Sequence, residues 1–215
     1  MVYLMKHFIP NEPSVRSIRM CGNDGWKITA DTVRKCFQFP YSHALKNEND
    51  EIVAVRLAAI IERPKLNEIK ECENDEILAS PKGTNEQSKS EIERLPRSAI
   101  EIRRLLCAME SKIWHLVESS TKKLLEIMVI STHEKYTGRG LMRELLTFDL
   151  TEQKRDGIQG GITEATALNS QKLFAKLGYK VLYQINYDEW LDEDGSQIFK
   201  CDDGTCCAQL AYRLY

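Results

Sequence analysis

The sequence predicts an α/β domain, a mixed sheet with helices packed against it. Three observations carry that expectation. The second half of the chain alternates apolar runs with amphipathic stretches in the order strand, helix, strand, helix, strand. Residues 124–131 read LLEIMVIS, an apolar run of the kind found in a strand buried on both faces. The 215 residues, 42% hydrophobic and 29% charged, are enough for one domain with its own core. The chain therefore reads as a single domain spanning 1–215.

Taken in order, residues 2–9 form a short apolar stretch before Pro10-Asn11-Glu12-Pro13-Ser14. Pro13 suits the first position of a helix, capped by Asn11 or Glu12. A second helix is expected over 30–37, with Asp31 near its start. Residues 41–46 and 51–61 read as strands joined by the turn-forming run Asn47-Glu48-Asn49-Asp50, and Val53, Val55 and Leu57 alternate through the second. Across 63–97 apolar density falls, predicting a polar insertion that is flexible over 79–90 (ASPKGTNEQSKS, counted to Ser90). A long amphipathic helix follows over 96–119, its stripe supplied by Ile100, Leu106, Ile113, Trp114 and Val117. The strand at 124–131 leads to a helix over 138–154, a strand at 160–166, and a helix over 169–177 ended by Gly178. Residues 179–187 and 206–215 close the sheet. Between them, 188–203 holds seven carboxylates against one lysine, either a lid that attracts a cation or a solvated loop.

Composition narrows the function classes. Lys+Arg number 30 against 32 Asp+Glu, a net charge of −2, which argues against a non-specific nucleic-acid binder. The best apolar run, 52–61, is interrupted by Arg56 and falls short of the ~20 residues that span a bilayer. The expected partner is therefore a small molecule, with no nucleic acid and no membrane, and the chain acts as a monomer or homodimer. Seven scattered cysteines and a start without an apolar signal core point to the reducing cytoplasm. Cys201, Cys206 and Cys207 lack C-x-x-C spacing and a nearby histidine, so no metal site is expected.

The informative stretch is Ile130-Ser131-Thr132-His133-Glu134-Lys135-Tyr136-Thr137-Gly138-Arg139-Gly140-Leu141. A buried strand runs into a glycine-bearing loop that opens into an amphipathic helix. Such a junction presents unpaired backbone N–H groups to an anion. The dinucleotide fingerprint needs glycine where Arg143 stands, and the nucleotide P-loop pattern is absent. G-x-G alone leaves phosphate binding and an ordinary tight turn both open.

The segment resembles the acetyl-CoA signature of the GNAT acetyltransferase superfamily, [Q/R]-x-x-G-x-[G/A] after an apolar strand, with Lys135 in place of the Gln or Arg. Downstream, residues 169–179 (NSQKLFAKLGY) are similar to the family's second conserved helix and its closing L-G-[FY], and His7-Phe8-Ile9-Pro10-Asn11-Glu12-Pro13 is similar to the start of the insect and nematode arylalkylamine N-acetyltransferase-like branch. The resemblance implies a V-split central sheet. The pantetheine arm of acetyl-CoA would lie between the 124–131 and 160–166 strands, bonded by the main chain of Met128, Val129 and Ile130. Lys135, Tyr136, Thr137, Gly138, Arg139, Gly140 and Leu141 would surround the pyrophosphate, and Asn169 is counted with these cofactor-binding residues.

Acetyl transfer to an amine poses two proton problems: an ammonium with a pKa of about 10 must lose a proton, and the CoA thiolate must be stabilised as it leaves. Glu12 matches the branch's catalytic glutamate, and a carboxylate ahead of a helix is expected to be held ionised by the dipole; the plainer reading is a helix cap. Many family members carry a tyrosine acid four residues before the Gly of L-G-[FY], and Phe174 stands there. Ser170 and Thr166, an i, i+4 pair if the helix reaches back, are the candidates for assisting the thiolate, against the plainer reading of helix-start hydroxyls. His133 sits beside the phosphate loop and reads as structural. The family normally opens with a strand ahead of its first helix; this chain begins inside that helix, which is expected to leave the 41–46 strand with an unpaired edge.

The resulting expectation is an acetyl-CoA-dependent N-acetyltransferase for a small primary amine, an arylalkylamine by preference. A polyamine, an amino acid or a protein N-terminus are alternative acceptors. A GNAT-like acyl-CoA-binding or regulatory protein without catalysis is the alternative of another class.

Overall fold

The chain is represented by a computed structural model that describes residues 1–20, 22–65 and 96–215. The polar insertion expected over 63–97, with its flexible part at 79–90, lies almost wholly outside the described residues. A widened helical turn at Leu4–Phe8 and a tight one at Ile9–Asn11 lead into α1 (Pro13–Ser17) and α2 (Gly22–Cys36). Strands β1 (His43–Lys46) and β2 (Ile52–Glu62) precede α3 (Arg97–Glu110) and α4 (Ile113–Leu116). Then come β3 (Lys123–Thr132), α5 (Leu141–Thr147), α6 (Leu150–Arg155), β4 (Gly160–Ala165), α7 (Leu168–Lys176), β5 (Lys180–Asn186) and β6 (Cys207–Leu214).

The six strands form one mixed sheet in the order β1-β2-β3-β4-β6-β5, with β1 at one edge. β3 and β4 are its parallel pair, and their register runs only over Leu124–Glu126 against Gly160–Ile162. Both strands continue past that point, so the sheet forks there. A second irregularity lies beside the fork. Leu57 pairs with Val129 and Ala58 with Ile127, so Met128 is the extra residue of a β-bulge.

Alternation along the strands divides the core between the two faces. On one face Leu124, Ile162, Leu210 and Tyr212 pack against Ile102, Leu105 and Met109 of α3. On the other, Leu125, Ile127, Ala165 and Ala211 meet Met142, Leu145 and Leu146 of α5 and Phe174 of α7. Small strand residues let the strands and helices close up. A Cβ on Gly160 would sit 2.5 Å from the Arg213 carbonyl oxygen of the neighbouring strand. Because that neighbour is backbone, Gly160→Ala is expected to lower stability by about 1–3 kcal/mol. Chemical denaturation reads the loss, and an unchanged midpoint would mean β4 and β6 yield freely.

Two helices differ from the sequence expectation. α2 begins at Gly22, eight residues ahead of the expected 30, and Gly25 within it lets Ile9 pack close: a Cβ on it would lie 2.9 Å from Ile9 Cγ2. The single helix expected over 138–154 is broken at Phe148–Asp149. The cause is Arg56, wholly buried in β2. Its Nη1 donates to the Leu145 carbonyl (2.7 Å), the acceptor the Asp149 amide would use in an unbroken helix, and its Nη2 meets Asp149 Oδ2 at 2.5 Å. The helix expected over 96–119 likewise divides into α3 and α4. Arg63, expected to open the polar insertion, is an anchor instead. It donates to the carbonyls of Trp114, Val117, Glu118 and Thr121 and lies over the Trp114 ring, fixing the end of β2 to the α4–β3 turn.

Candidate active site

A cleft of about 790 Å³ opens on the side where β3 and β4 part. Its walls include Ile127–Thr132 of β3, the loop and helix start 136–143, and 163–167 with Asn169 and Ser170 from β4 and the start of α7. Met128, Val129, Ile130, Tyr136, Thr137, Gly138, Arg139, Gly140, Leu141, Thr166, Asn169 and Ser170 all line it, so twelve residues separated by up to 42 positions meet around one space. Glu12 lines it too, from the opposite end of the sequence. Lys135 does not line it; its amide donates to Nδ1 of His133 (3.1 Å), which caps the tight turn at Glu134–Tyr136. His133 also stacks on His7 at 4.3 Å, a structural use.

The loop has the conformation a phosphate cradle needs. Gly138 and Gly140 have φ of 75° and 81°, which side chains with a Cβ rarely adopt, and the space where each Cβ would stand is open. α5 is short, so the positive field comes less from its dipole than from Arg139 and Arg143 beside the exposed amides. Arg139 lies over the Tyr136 ring at 4.8 Å, and Asn47 Nδ2 holds the Tyr136 hydroxyl at 3.0 Å, which steadies the loop against the β1–β2 turn.

Glu12 is built into the other wall. The Ser14 hydroxyl donates to its Oε1 at 3.0 Å and the Thr166 hydroxyl to the same oxygen at 2.9 Å. The residue keeps some exposure to the cleft, while its carboxyl group is enclosed. Burial pushes the Glu12 pKa above the ordinary carboxylate value, against the pull of the Thr166 and Ser14 hydrogen bonds. The direction is opposite to the one the dipole of α1 would give. α1 has only five residues, too few to oppose desolvation.

Thr166 and Ser170 do not form the expected i, i+4 pair. α7 starts at Leu168 behind an extended Ala167, because the Leu168 amide is taken by Asp203 Oδ2 (3.0 Å) and Thr205 Oγ1 (2.7 Å). Thr166 is thereby left free to turn toward Glu12. Ser170 Oγ donates to the Ala167 carbonyl at 2.7 Å. Phe174 is largely buried, packs edge-on against Tyr179 at 4.9 Å and lines the cleft, so the position of the family's tyrosine acid borders the site here without a hydroxyl to donate. Sequence reasoning missed Asp203, Thr205 and Ser14; Asp203 sat in an acidic run that reads as one solvated segment. That run is partly tied down, since Asp202 is paired with Arg16 of α1.

Forked parallel strands, a bulge opposite the fork and a glycine loop after β3 are the parts of one known architecture. The chain has the fold of the GNAT N-acetyltransferases. The structure superposes on an arylalkylamine N-acetyltransferase 2 of Aedes aegypti with a TM-score of 0.78 at 21% identity, covering 99% of this chain and 91% of that one. Against the polyamine N-acetyltransferase of Drosophila melanogaster the TM-score is 0.71 at 16% identity, with 100% and 92% covered. The sequence matches no protein-family model and no curated protein. The GNAT fold explains the placement of the cleft: its fork lies at the C-terminal end of a parallel strand pair, where loops rather than core close the space. Among the described residues no helix is long and apolar enough to cross a membrane.

Proposed function

We propose that this GNAT domain is an N-acetyltransferase that moves the acetyl group of acetyl-CoA to the primary amine of a small acceptor. The observation that carries the reading is Glu12: an enclosed carboxylate with a raised pKa, bonded by Ser14 and Thr166, on the wall of a forked-sheet cleft. Arylalkylamines and polyamines, the acceptors for which the two compared enzymes are named, are the acceptor classes in view. The whole chain acts as the catalytic domain, and free thiols at Cys36, Cys107, Cys201, Cys206 and Cys207 suit a cytoplasmic setting.

The cleft suits acetyl-CoA as co-substrate. The main chain of Met128, Val129 and Ile130, loosened by the bulge, offers hydrogen bonds to the pantetheine and a donor to the thioester carbonyl. The amides of 137–141 with Arg139 and Arg143 receive the pyrophosphate. Asn169 borders the same space at the start of α7.

The reaction then follows from the residues. Glu12 takes the proton of the ammonium, and its raised pKa makes it a better-matched base near neutrality than an exposed carboxylate. The neutral amine nitrogen attacks the thioester carbon, the C–N bond forms, the C–S bond breaks with its electron pair leaving on sulfur, and the second N–H proton passes from the nitrogen to that thiolate, giving the amide and the CoA thiol. Thr166 holds Glu12 in place rather than serving as the acid. Ser170, by turning its hydroxyl from the Ala167 carbonyl into the cleft, stabilises the thiolate. Phe174, which lines the cleft but has no proton to donate, favours one second reading, an acyl-CoA-binding protein without turnover.

Calorimetry with acetyl-CoA, followed by thiol release with a panel of amines, decides between them. Micromolar binding with amine-dependent thiol release is expected. Binding without release from any amine would favour the second reading, and no binding would overturn both.

A further inference from the structure

Two adjacent aspartates of the segment between β5 and β6 reach the two flanks of Glu12. Asp202 takes Arg16 with both carboxylate oxygens, its Oδ2 accepting from Nε at 2.9 Å and its Oδ1 from Nη2. Arg16 lies in α1, and its amide donates to the Glu12 carbonyl at 3.0 Å, so this contact holds the helix that Glu12 opens. Asp203 holds the other flank. Its Oδ2 and Thr205 Oγ1 share the Leu168 amide, and the buried Thr205 hydroxyl in turn donates to Asp203 at 2.6 Å. Two residues before Leu168, just past the end of β4, the Thr166 carbonyl accepts from the buried Tyr187 hydroxyl at 3.3 Å while the Thr166 hydroxyl donates to Glu12. A ring therefore closes through Glu12, Thr166, Leu168, Asp203, Asp202 and Arg16. The Arg16–Asp202 link is partly in solvent, with side-chain exposures of 35% and 62%, so the Asp203 side of the ring is the stronger one.

We infer that Asp203 is a positioning residue for Glu12, fixing through Leu168 and Thr166 where the carboxylate stands in the cleft, with Thr205 as its brace. The inference rests on the acetyltransferase reading for the use that is made of Glu12. Asp203 acts on Glu12 in two ways of opposite sign. As a brace it keeps the Thr166 hydroxyl on Oε1, which favours the carboxylate form; as a charge it adds to burial in favouring the protonated form. Burial opposes ionisation of Asp203 itself, but hydrogen bonds from Thr205 and Leu168 hold its pKa below the ordinary value, so it is charged while Glu12 titrates. The other groups facing Glu12 interfere little. Arg16 of α1 is taken by Asp202, and burial pushes the Cys201 thiol up to about 11 and the Tyr187 hydroxyl well above its ordinary value, so both stay neutral. His7 borders the cleft, and Glu110 and Glu164 share with Glu12 the border of an inner cavity; Asp203 is the anion whose charge raises the Glu12 pKa.

The test is an NMR titration of the Glu12 carboxyl carbon, assigned as the resonance lost in Glu12→Gln, in wild type, Asp203→Asn, Thr205→Val and Thr205→Ser. Asp203→Asn keeps the shape and an oxygen for the Leu168 amide but removes the charge. The Glu12 midpoint is expected to fall by about half a pH unit or more, the size of one screened charge several ångströms away. Thr205→Val keeps the charge and removes the brace, so the midpoint is expected to rise toward that of Thr166→Val, and Thr205→Ser should restore the wild-type value. Asp203→Glu, which keeps the charge and displaces the carboxylate by a methylene, is a second variant without the brace and should raise the midpoint as well. Thermal melts establish that each variant is folded. A midpoint that stays at the wild-type value in Asp203→Asn, or in both brace variants, overturns the inference, as do shifts of all the variants in one direction. A segment that merely stabilised the fold would change the melting temperature and leave the Glu12 titration alone. Because the titration needs no turnover, opposite shifts without thiol release from any amine would sink the acetyltransferase reading and leave the positioning of Glu12 standing.

Discussion

Glu12→Gln is expected to lower kcat/KM for acetyl transfer by about 10²- to 10⁴-fold, the range a positioned general base supplies. Acetyl-CoA affinity measured by calorimetry should hold, because the cofactor wall is made by β3 and the loop after it rather than by Glu12. The pH profile carries the sharper information. Burial raises the Glu12 pKa, so the wild-type acid limb should fall above the ordinary carboxylate value near 4.5: activity rises as pH climbs through that pKa and is lost below it. The limb should vanish in Glu12→Gln. Thr166→Val removes a donor that favours the ionised form and should move the limb further toward alkaline pH. A Glu12→Gln enzyme with wild-type rates would remove the carboxylate from the mechanism altogether.

Arg56→Met is expected to cost about 3–5 kcal/mol of stability. Arg56 and Asp149 have side-chain exposures of 0% and 1%, so removing the guanidinium strands a charge in the core. The Tyr41 carbonyl, held by Arg56 Nε and Nη2, would lose both donors at once. For a chain of this size the loss corresponds to a fall in Tm of roughly 10 °C. Arg56→Met combined with Asp149→Leu should recover much of it, since a buried pair exchanged for apolar groups is often neutral. Burial opposes ionisation of Asp149, but Arg56 holds its pKa below the ordinary value. The contribution of the pair is therefore complete above the unfolded carboxylate pKa of about 3.9 and is lost as pH falls through the lower folded value. If Arg56→Met melts with wild type at pH 7, the pair contributes nothing.

These two residues also mark what sequence can and cannot convey. The strands were legible because local alternation states them: Val53, Val55 and Leu57 in β2, and the apolar run of β3. The break at Phe148–Asp149 was not, because its cause is a guanidinium 93 positions upstream. Glu12 could be singled out by motif, but its partner Thr166 lies 154 positions away and its burial depends on elements that meet only in the fold. The start of α7 was legible to within one residue, but not the partners of its first amide, Asp203 and Thr205, which arrive from 35 and 37 positions downstream. One signal was present and unused. Glu126 and Glu164 stand inside otherwise apolar strands, where a charge must find either a partner or a cavity. Lys35 is the partner of the first, while Oε1 of the second has no hydrogen-bond partner among the described residues.

The fork between β3 and β4 has one more consequence. A sheet edge is an adhesive surface, open to any strand that approaches it, and β1 and β5 present theirs on the outside. Past Glu126 and Ile162 the protein keeps two more edges facing each other across an interior slot. Peptide groups that would make an outer edge prone to aggregation are thus kept within the molecule, along the wall of the cleft.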